Sequence, residues 1–268
     1  MMRNIGHTTV ESIAAESPKF TAPMVLVHGL WCTAAVWRKF MGYFAHRGWS
    51  CHALNFRGHA ADSGERDTIA QLQLGDYLDD LRQVIAACEA PPVLVGHDVG
   101  GLLALVGGAS AARAVVALAP LVPGALASRP NRVLARWTVR LPRLRSRVLQ
   151  PPRGKLRLEY FGAAVPGGTT PDSGLVAQQL VSAEFELSAS RVPSLVLAGE
   201  RDRFSLPEDV ERLARRVGAR FQSVEGGSHA LPWEPGWQRR VSAIHRWLIQ
   251  ALGDPLLALR AEEEPDAP

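Results

Sequence analysis

Short runs of apolar residues, bounded by turn residues, recur along most of the chain. Continuous Val, Leu and Ala without polar alternation is typical of strands that are covered on both faces of a sheet. Between these runs, two stretches starting at Leu74 and Trp237 repeat apolar residues at helical spacing. Alternation of strand and helix predicts an α/β fold with a mostly parallel central sheet flanked by helices. The predicted strands are 24–27, 50–56, 92–96, 114–119, 194–198 and 220–224.

The alternation breaks between residues 121 and 191, where seven prolines interrupt the pattern. This stretch, called the insert below, is predicted to form short helices before the chain returns to a strand. The predicted core is therefore residues 1–120 and 192–260. The last residues, 261–268 (AEEEPDAP), have the composition of a disordered tail.

Composition narrows the class of protein. With 47% hydrophobic and 21% charged residues, the chain is typical of a soluble globular protein. It contains no run near the ~20 apolar residues of a membrane span, and its N-terminal stretch lacks the apolar segment of a secretory signal. The three cysteines are far apart and form no zinc-type spacing. We expect a cytoplasmic protein with reduced thiols, no metal and no cofactor.

The segment 96–101, GHDVGG, lies between a predicted strand and a predicted small-residue helix at 102–109. A glycine two positions before and after a central residue, in a strand-to-helix turn, is the signature of a nucleophile elbow. Larger residues at the two glycines would clash within the strained turn. The pattern therefore places Asp98 at the top of the sheet as the candidate reacting group.

Further motifs stand in a fixed order around this turn: HGLW at 28–31, NFRGHAADS at 55–63, GERD at 199–202 and GGSH at 226–229. With the elbow, they resemble the motifs of α/β-hydrolase-fold enzymes, and the resemblance runs from about residue 24 to 252. It implies the α/β-hydrolase fold, with the insert as a helical cap over the active site.

The order nucleophile, acid, histidine implies a catalytic triad. His229 is the expected general base, because an imidazole changes protonation near neutral pH. Asp202 is expected to orient it and to stabilise the imidazolium. Glu200 is a competing acid, but the position of Asp202 matches the usual place of the acid in this fold.

The oxyanion hole is expected from the backbone N–H groups of Val99 and Leu30. Trp31 is the alternative second donor. His28 is expected to brace this loop.

Aspartate at the elbow changes the chemistry, since most members of this fold carry serine there. A carboxylate suits displacement at a saturated carbon, which gives an alkyl ester on Asp98. Water activated by His229 would then hydrolyse that ester. Haloalkane dehalogenases and epoxide hydrolases of this fold work in this way, and their elbow (GHDWG) is similar.

The sequence departs from both groups. Val99 replaces the tryptophan that follows the nucleophile in dehalogenases, and Leu30 replaces a halide-binding side chain. Trp31 stands where epoxide hydrolases usually have proline, and the insert has a single tyrosine, Tyr160.

Elimination is therefore a close alternative. Asp98 or His229 would remove a proton next to a carbonyl, and acetate or a similar group would leave. The HGLW segment and the EPGW segment at 234–237 are similar to small bacterial hydrolases of the group that includes acetate-eliminating lyases of tetronate biosynthesis. A non-catalytic binding protein on the same fold is a third reading, against which the intact His229 and Asp202 argue.

Ten cations and no acid lie between residues 129 and 157, while the rest of the chain is net negative. A solvated outer face of the cap is the simplest explanation. The basic segment could also steer an anionic substrate or an acidic carrier protein, or touch an anionic membrane surface, whereas nucleic-acid binding and stable membrane insertion are not expected. The candidate pocket residues are Trp31, Trp137, Tyr160 and Phe161.

The sequence as a whole predicts an enzyme that cleaves a C–O or C–halogen bond of a mostly apolar small molecule. Hydrolysis is favoured over elimination.

Overall fold

The computed structural model describes residues 1–60, 66–129, 148–182 and 185–253, without the side chains of 66–68. Within these residues, eight strands form one sheet in the order β1-β2-β4-β3-β5-β6-β9-β10. All pairings from β4 to β10 are parallel, which confirms the predicted α/β architecture. The strands are β1 (Met2–Ile5), β2 (Thr8–Ile13), β3 (Met24–Val27), β4 (Cys51–Asn55), β5 (Val93–His97), β6 (Ala114–Leu118), β9 (Ser194–Gly199) and β10 (Arg220–Val224).

The two N-terminal strands were not predicted. β1 and β2 pair antiparallel, and β2 pairs antiparallel with β4. On β2 only Thr8 and Val10 are buried, so no apolar run marks it. Pairing with β4, rather than local pattern, defines this edge of the sheet.

Helices cover both faces of the sheet, whose central strands β3, β5 and β6 are fully buried. The segment predicted as a helix at 102–109 is instead a short α-helix, a π-helical turn (Ala104–Gly108) and a 3₁₀ turn (Ala109–Ala111). The helices are α1 (Arg38–His46), α2 (Leu74–Ala86), α3 (Val99–Leu103), α4 (Gly154–Phe161), α5 (Gly174–Ser182), α6 (Pro207–Arg216) and α7 (Trp237–Leu252).

The insert contributes α4, α5 and a small antiparallel pair, β7 (Val148–Leu149) with β8 (Asp172–Ser173). Its cap role stays a prediction. The basic residues between 130 and 147 lie outside the described residues, as do the candidate pocket residue Trp137 and the tail at 261–268. None of the helices in the described ranges is long and apolar enough to cross a membrane.

Candidate active site

Asp98 occupies the sharp turn between β5 and α3. Its backbone lies in a left-handed region (φ 53°, ψ −121°) that is strained for a residue with a side chain. The flanking glycines make the turn possible: a Cβ at Gly96 would lie 2.3 Å from the Gly100 carbonyl oxygen, and one at Gly100 would lie 2.4 Å from that of Val27. The turn therefore sets the Asp98 side chain at the carboxyl edge of the parallel strands.

The two carboxylate oxygens of Asp98 have different surroundings. Oδ2 accepts a hydrogen bond from the backbone N–H of Leu30 (2.9 Å) and from the hydroxyl of Tyr160 (2.8 Å). The backbone N–H of Val99 also lies near the carboxylate and acts to lower its pKa. Oδ1 is buried and has no hydrogen-bond partner among the described residues. One oxygen is thus held by donors while the other is free to react.

His229 reaches this site from the loop after β10. Its Nδ1 lies 2.8 Å from Oδ2 of Asp202. The other oxygen of Asp202 accepts the backbone N–H groups of Phe204 and Ser205, which fixes the carboxylate. Glu200 instead accepts the backbone N–H of Gly226. The structure therefore brings Asp202, and not Glu200, to His229.

The remaining nitrogen of His229 faces Asp98. Nε2 lies 3.8 Å from Asp98 Oδ1, which is too far for a hydrogen bond. Nε2 has no other hydrogen-bond partner in the described part of the chain. The three predicted residues Asp98, His229 and Asp202 thus lie next to one another, without a hydrogen bond between Asp98 and His229.

Burial and charge have opposite effects on the pKa of Asp98 and on that of His229. Burial raises the pKa of Asp98 above its usual value, against the opposing effects of the His229 charge and of hydrogen bonds from Leu30 and Tyr160. For His229, burial would lower the pKa, but the charge and hydrogen bond of Asp202 and the Asp98 charge outweigh it and raise the pKa. His229 is therefore a stronger base than an ordinary histidine.

The loop after β3 presents Leu30 rather than Trp31 to Asp98. The backbone N–H of Trp31 donates to Oδ2 of Asp172 (2.9 Å), and its indole N–H donates to the carbonyl of Leu149 (3.1 Å). Both donors of Trp31 are therefore engaged elsewhere.

His28 braces the same loop. Its Nδ1–H donates to the carbonyl of Gly29 (2.8 Å), while Nε2 accepts the backbone N–H of Phe56 (3.2 Å). This pair of contacts requires the neutral imidazole.

Aromatic rings surround Asp98 and His229. The ring of Tyr160 lies 4.5 Å from that of His229, and Phe204 lies 5.7 Å from His229. The rings of Trp31 and Phe161 also pack against Tyr160. The described surroundings of Asp98 are therefore mostly apolar.

Sequence reasoning missed three buried polar residues next to this site: His59, Tyr77 and Asp172. Tyr77 donates to Asp172, and His59 lies 3.3 Å from it. Asp172 precedes Ser173 and an apolar stretch, a pattern that reads as a helix start. Only the folded insert brings this acid to the loop that carries Trp31. Within the described residues, no cluster of His, Cys, Asp or Glu side chains could hold a metal ion.

Comparison with known proteins agrees with this architecture. The profile of a family described as "Alpha/beta hydrolase family" matches residues 24–243. No curated protein matches the chain.

Among solved structures, a monoacylglycerol lipase of Paleococcus ferrophilus is similar with a TM-score of 0.70 at 19% identity, covering 90% of this chain and 99% of that one. A thermophilic esterase from Thermogutta terrifontis gives 0.64 at 18% identity, covering 94% and 99%. A bromoperoxidase from Bacillus anthracis gives 0.67 at 16% identity, covering 95% and 99%. At these identities, the likeness is one of fold.

Proposed function

Because the chain belongs to the alpha/beta hydrolase family, we propose that it is a hydrolase in which Asp98 is the nucleophile, His229 the base and Asp202 its orienting acid. The substrate is a mostly apolar small molecule with a C–O or C–halogen bond at a saturated carbon. The observation that carries the proposal is the division between the two oxygens of Asp98. Oδ2 is held by Leu30 and Tyr160, while the unpartnered Oδ1 faces His229.

In the first step, Oδ1 of Asp98 attacks the saturated carbon. A new C–O bond forms, and the leaving group departs with the electron pair of the broken bond. The product is an alkyl ester of Asp98. Attack on an ester carbonyl is disfavoured, because it would exchange an ester for a reactive anhydride.

In the second step, the donors around Oδ2 act on the carbonyl oxygen of the new ester. Water gives a proton to Nε2 of His229 and attacks the carboxyl carbon of Asp98, and negative charge develops on Oδ2. The N–H groups of Leu30 and Val99 and the hydroxyl of Tyr160 stabilise that charge. The intermediate collapses, and the alcohol leaves with the proton from His229. Asp98 is left as a carboxylic acid, and loss of its proton to solvent restores the carboxylate.

The described donors favour an oxygen leaving group over a halide. Leu30 and Val99 have no side-chain donor, and the indole N–H of Trp31 is bound to Leu149. The hydroxyl of Tyr160 is the side-chain donor that the structure describes next to Asp98. It can pass its hydrogen bond to a departing oxygen, so C–O cleavage is the preferred form of the proposal.

Elimination remains the second candidate, because the raised pKa of Asp98 makes its carboxylate a stronger base. The unpartnered Oδ1 is free to take a proton next to a carbonyl. However, the N–H of Leu30 already holds Asp98. An enolate would first have to drive the Asp98 carboxylate off this donor, which favours nucleophilic displacement over elimination.

The test compares wild type with His229→Gln on epoxides, haloalkanes, simple esters and an acetoxylated tetronate. Intact-mass spectrometry looks for an adduct. We expect an alkyl ester on Asp98 that persists in His229→Gln and clears in wild type. Release of acetate with a new alkene, without adduct in either protein, would replace the proposal by elimination.

Single turnover in H₂¹⁸O separates a nucleophile from a base that activates water. In the proposed route, the product oxygen comes from Asp98, and the label enters the Asp98 carboxylate. Label in the product and none in the Asp98 peptide would contradict the nucleophilic role.

A further inference from the structure

Asp172, the first residue of β8, is a fully buried acid outside the triad. Its Oδ2 accepts the backbone N–H of Trp31 at 2.9 Å and lies 3.3 Å from Nε2 of His59. Its Oδ1 accepts the hydroxyl of Tyr77 at 2.5 Å and the backbone N–H of Ser173 at 2.8 Å. A carboxylate of the insert is thus bound by donors from three separate segments of the core.

Two consecutive backbone N–H groups of the core each bind a different carboxylate. The N–H of Leu30 points to Asp98, and the N–H of Trp31 points to Asp172. Trp31 has φ 59°, which is sterically unfavourable for a residue with a Cβ. A rotated Leu30–Trp31 peptide would relieve that strain and disturb the backbone at Leu30. The hydrogen bond to Asp172 opposes this rotation.

We propose that Asp172 is a positioning residue, which fixes the Leu30–Trp31 peptide so that the N–H of Leu30 stays directed at Oδ2 of Asp98. Its effect on turnover rests on the function proposed above, whereas its effect on the loop does not. Residues of the insert thereby set the geometry of the oxyanion hole.

The surroundings of Asp172 suit a carboxylate and not an amide. All four groups that face it are donors or can be donors. An Asn side chain would turn its own NH₂ group toward two of them, one of which is a backbone N–H that cannot accept. Burial would raise the pKa of Asp172, but the His59 charge and hydrogen bonds from His59 and Tyr77 outweigh it and lower the pKa. The group therefore stays ionised in the interior.

His59 is held as the partner of this carboxylate. Its Nδ1–H donates to the carbonyl of Arg57 at 3.1 Å, which leaves Nε2 for Asp172. Burial lowers the pKa of His59, yet the charge and hydrogen bond of Asp172 raise it overall. The other titratable groups that face His59 are Tyr77, His28 and Asp80.

The test uses Asp172→Asn, with Asp209→Asn as the matched control. Asp209 is also a buried acid, which binds the backbone N–H of Ser128 and pairs with Arg212, and it does not contact the oxyanion loop. Tyr77→Phe is the milder second variant, because it removes one donor to Asp172 and keeps its charge. Thermal unfolding of each variant checks that the fold is retained.

The first readout is amide hydrogen exchange of the segment 28–33, which needs no substrate. We expect Asp172→Asn to lose protection there by about tenfold or more, and Tyr77→Phe by less, while Asp209→Asn keeps wild-type protection. Unchanged exchange in Asp172→Asn, or an equal loss in Asp209→Asn, would overturn the proposal. If Asp172→Asn does not fold, unchanged protection in Tyr77→Phe would overturn it.

The second readout is kinetic. On a substrate that wild type turns over, Asp172→Asn should lower kcat by about 10²-fold, comparable to loss of one oxyanion donor, with little change in KM and with accumulation of the ester on Asp98. A wild-type kcat would overturn the proposal. If no substrate forms the ester in His229→Gln, the proposed function fails and the exchange result still decides the role of Asp172.

Discussion

Nε2 of His229 and Oδ1 of Asp98 face each other across 3.8 Å without a hydrogen bond. In an ordinary triad, the base bonds the nucleophile to remove its proton. A carboxylate has no such proton, so direct contact is unnecessary. In the proposed mechanism, the gap leaves His229 free to take a proton from water once Oδ1 carries the substrate carbon.

The first prediction concerns Asp98→Asn. The amide removes the attacking anion, so turnover should fall below detection. The fold should persist, because the variant removes a buried charge and its oxygen can still accept the N–H of Leu30. Steady-state kinetics and thermal unfolding measure the two effects. Full activity, with mass spectrometry showing that the amide is intact, would exclude Asp98 as nucleophile.

The second prediction concerns Tyr160→Phe. The variant removes one of the donors to Oδ2 and keeps the ring that packs on His229. We expect kcat to fall by about 10²–10³ with accumulation of the ester on Asp98. Tyr43→Phe is the control, since Tyr43 packs with Arg47 on α1, outside the site. An unchanged kcat in Tyr160→Phe would limit Tyr160 to lining the site.

The third prediction concerns the pH dependence of ester hydrolysis. His229 must be neutral to accept a proton, and its pKa is raised above 6.5 mainly by Asp202. The rate should therefore fall with decreasing pH at a midpoint above 6.5.

Asp202→Asn tests the origin of that midpoint. Because it removes the carboxylate charge that raises the pKa of His229, the midpoint should move to lower pH while the maximal rate falls. Profiles of kcat against pH for both proteins measure the shift. If the midpoint does not move, a group other than His229 causes the fall in rate at low pH.

The fourth prediction concerns stability in acid. Burial, and then the charge of His59, lower the pKa of His28 from 6.5 to about 3. Unfolding lets His28 take up a proton throughout this interval, so its contribution to stability is present above pH 6.5 and decreases as the pH falls toward 3.

The expected loss is at most about 1.4 kcal/mol per pH unit from this one group. Urea unfolding at several pH values, compared with His28→Gln, isolates it. The variant cannot titrate at this position, so its stability should depend less steeply on pH. Parallel curves for both proteins would contradict the assignment.

Local pattern was sufficient for some strands of the sheet. β3 and β10 begin and end where the sequence predicts, because turn residues bound each run. The grouping of Asp98, Asp202 and His229 was also readable, since the carboxyl ends of parallel strands gather at one edge. Asp98 and Asp202 follow such strands directly, and His229 follows the last one after a short loop.

Contacts made by the insert could not be predicted from the sequence. The bond from Tyr160 to Asp98 joins residues 62 positions apart, and that from Trp31 to Asp172 joins residues 141 apart. Neither has a local signature, because each depends on how the insert folds over the core. The N-terminal pair β1–β2 was not predicted for a related reason, since it contains too few apolar residues to mark a strand without its neighbour.

The donors that hold Oδ2 of Asp98 also bear on how such a protein is detected. Fluorophosphonate and boronate reagents label serine enzymes of this fold by bonding to a hydroxyl and placing an oxygen among the backbone amides. Here the elbow offers no hydroxyl, and the carboxylate itself occupies the N–H of Leu30. We therefore expect serine-directed probes not to label this chain. If Asp98 is the nucleophile, as proposed, alkylating electrophiles such as epoxides are the reagents suited to report it.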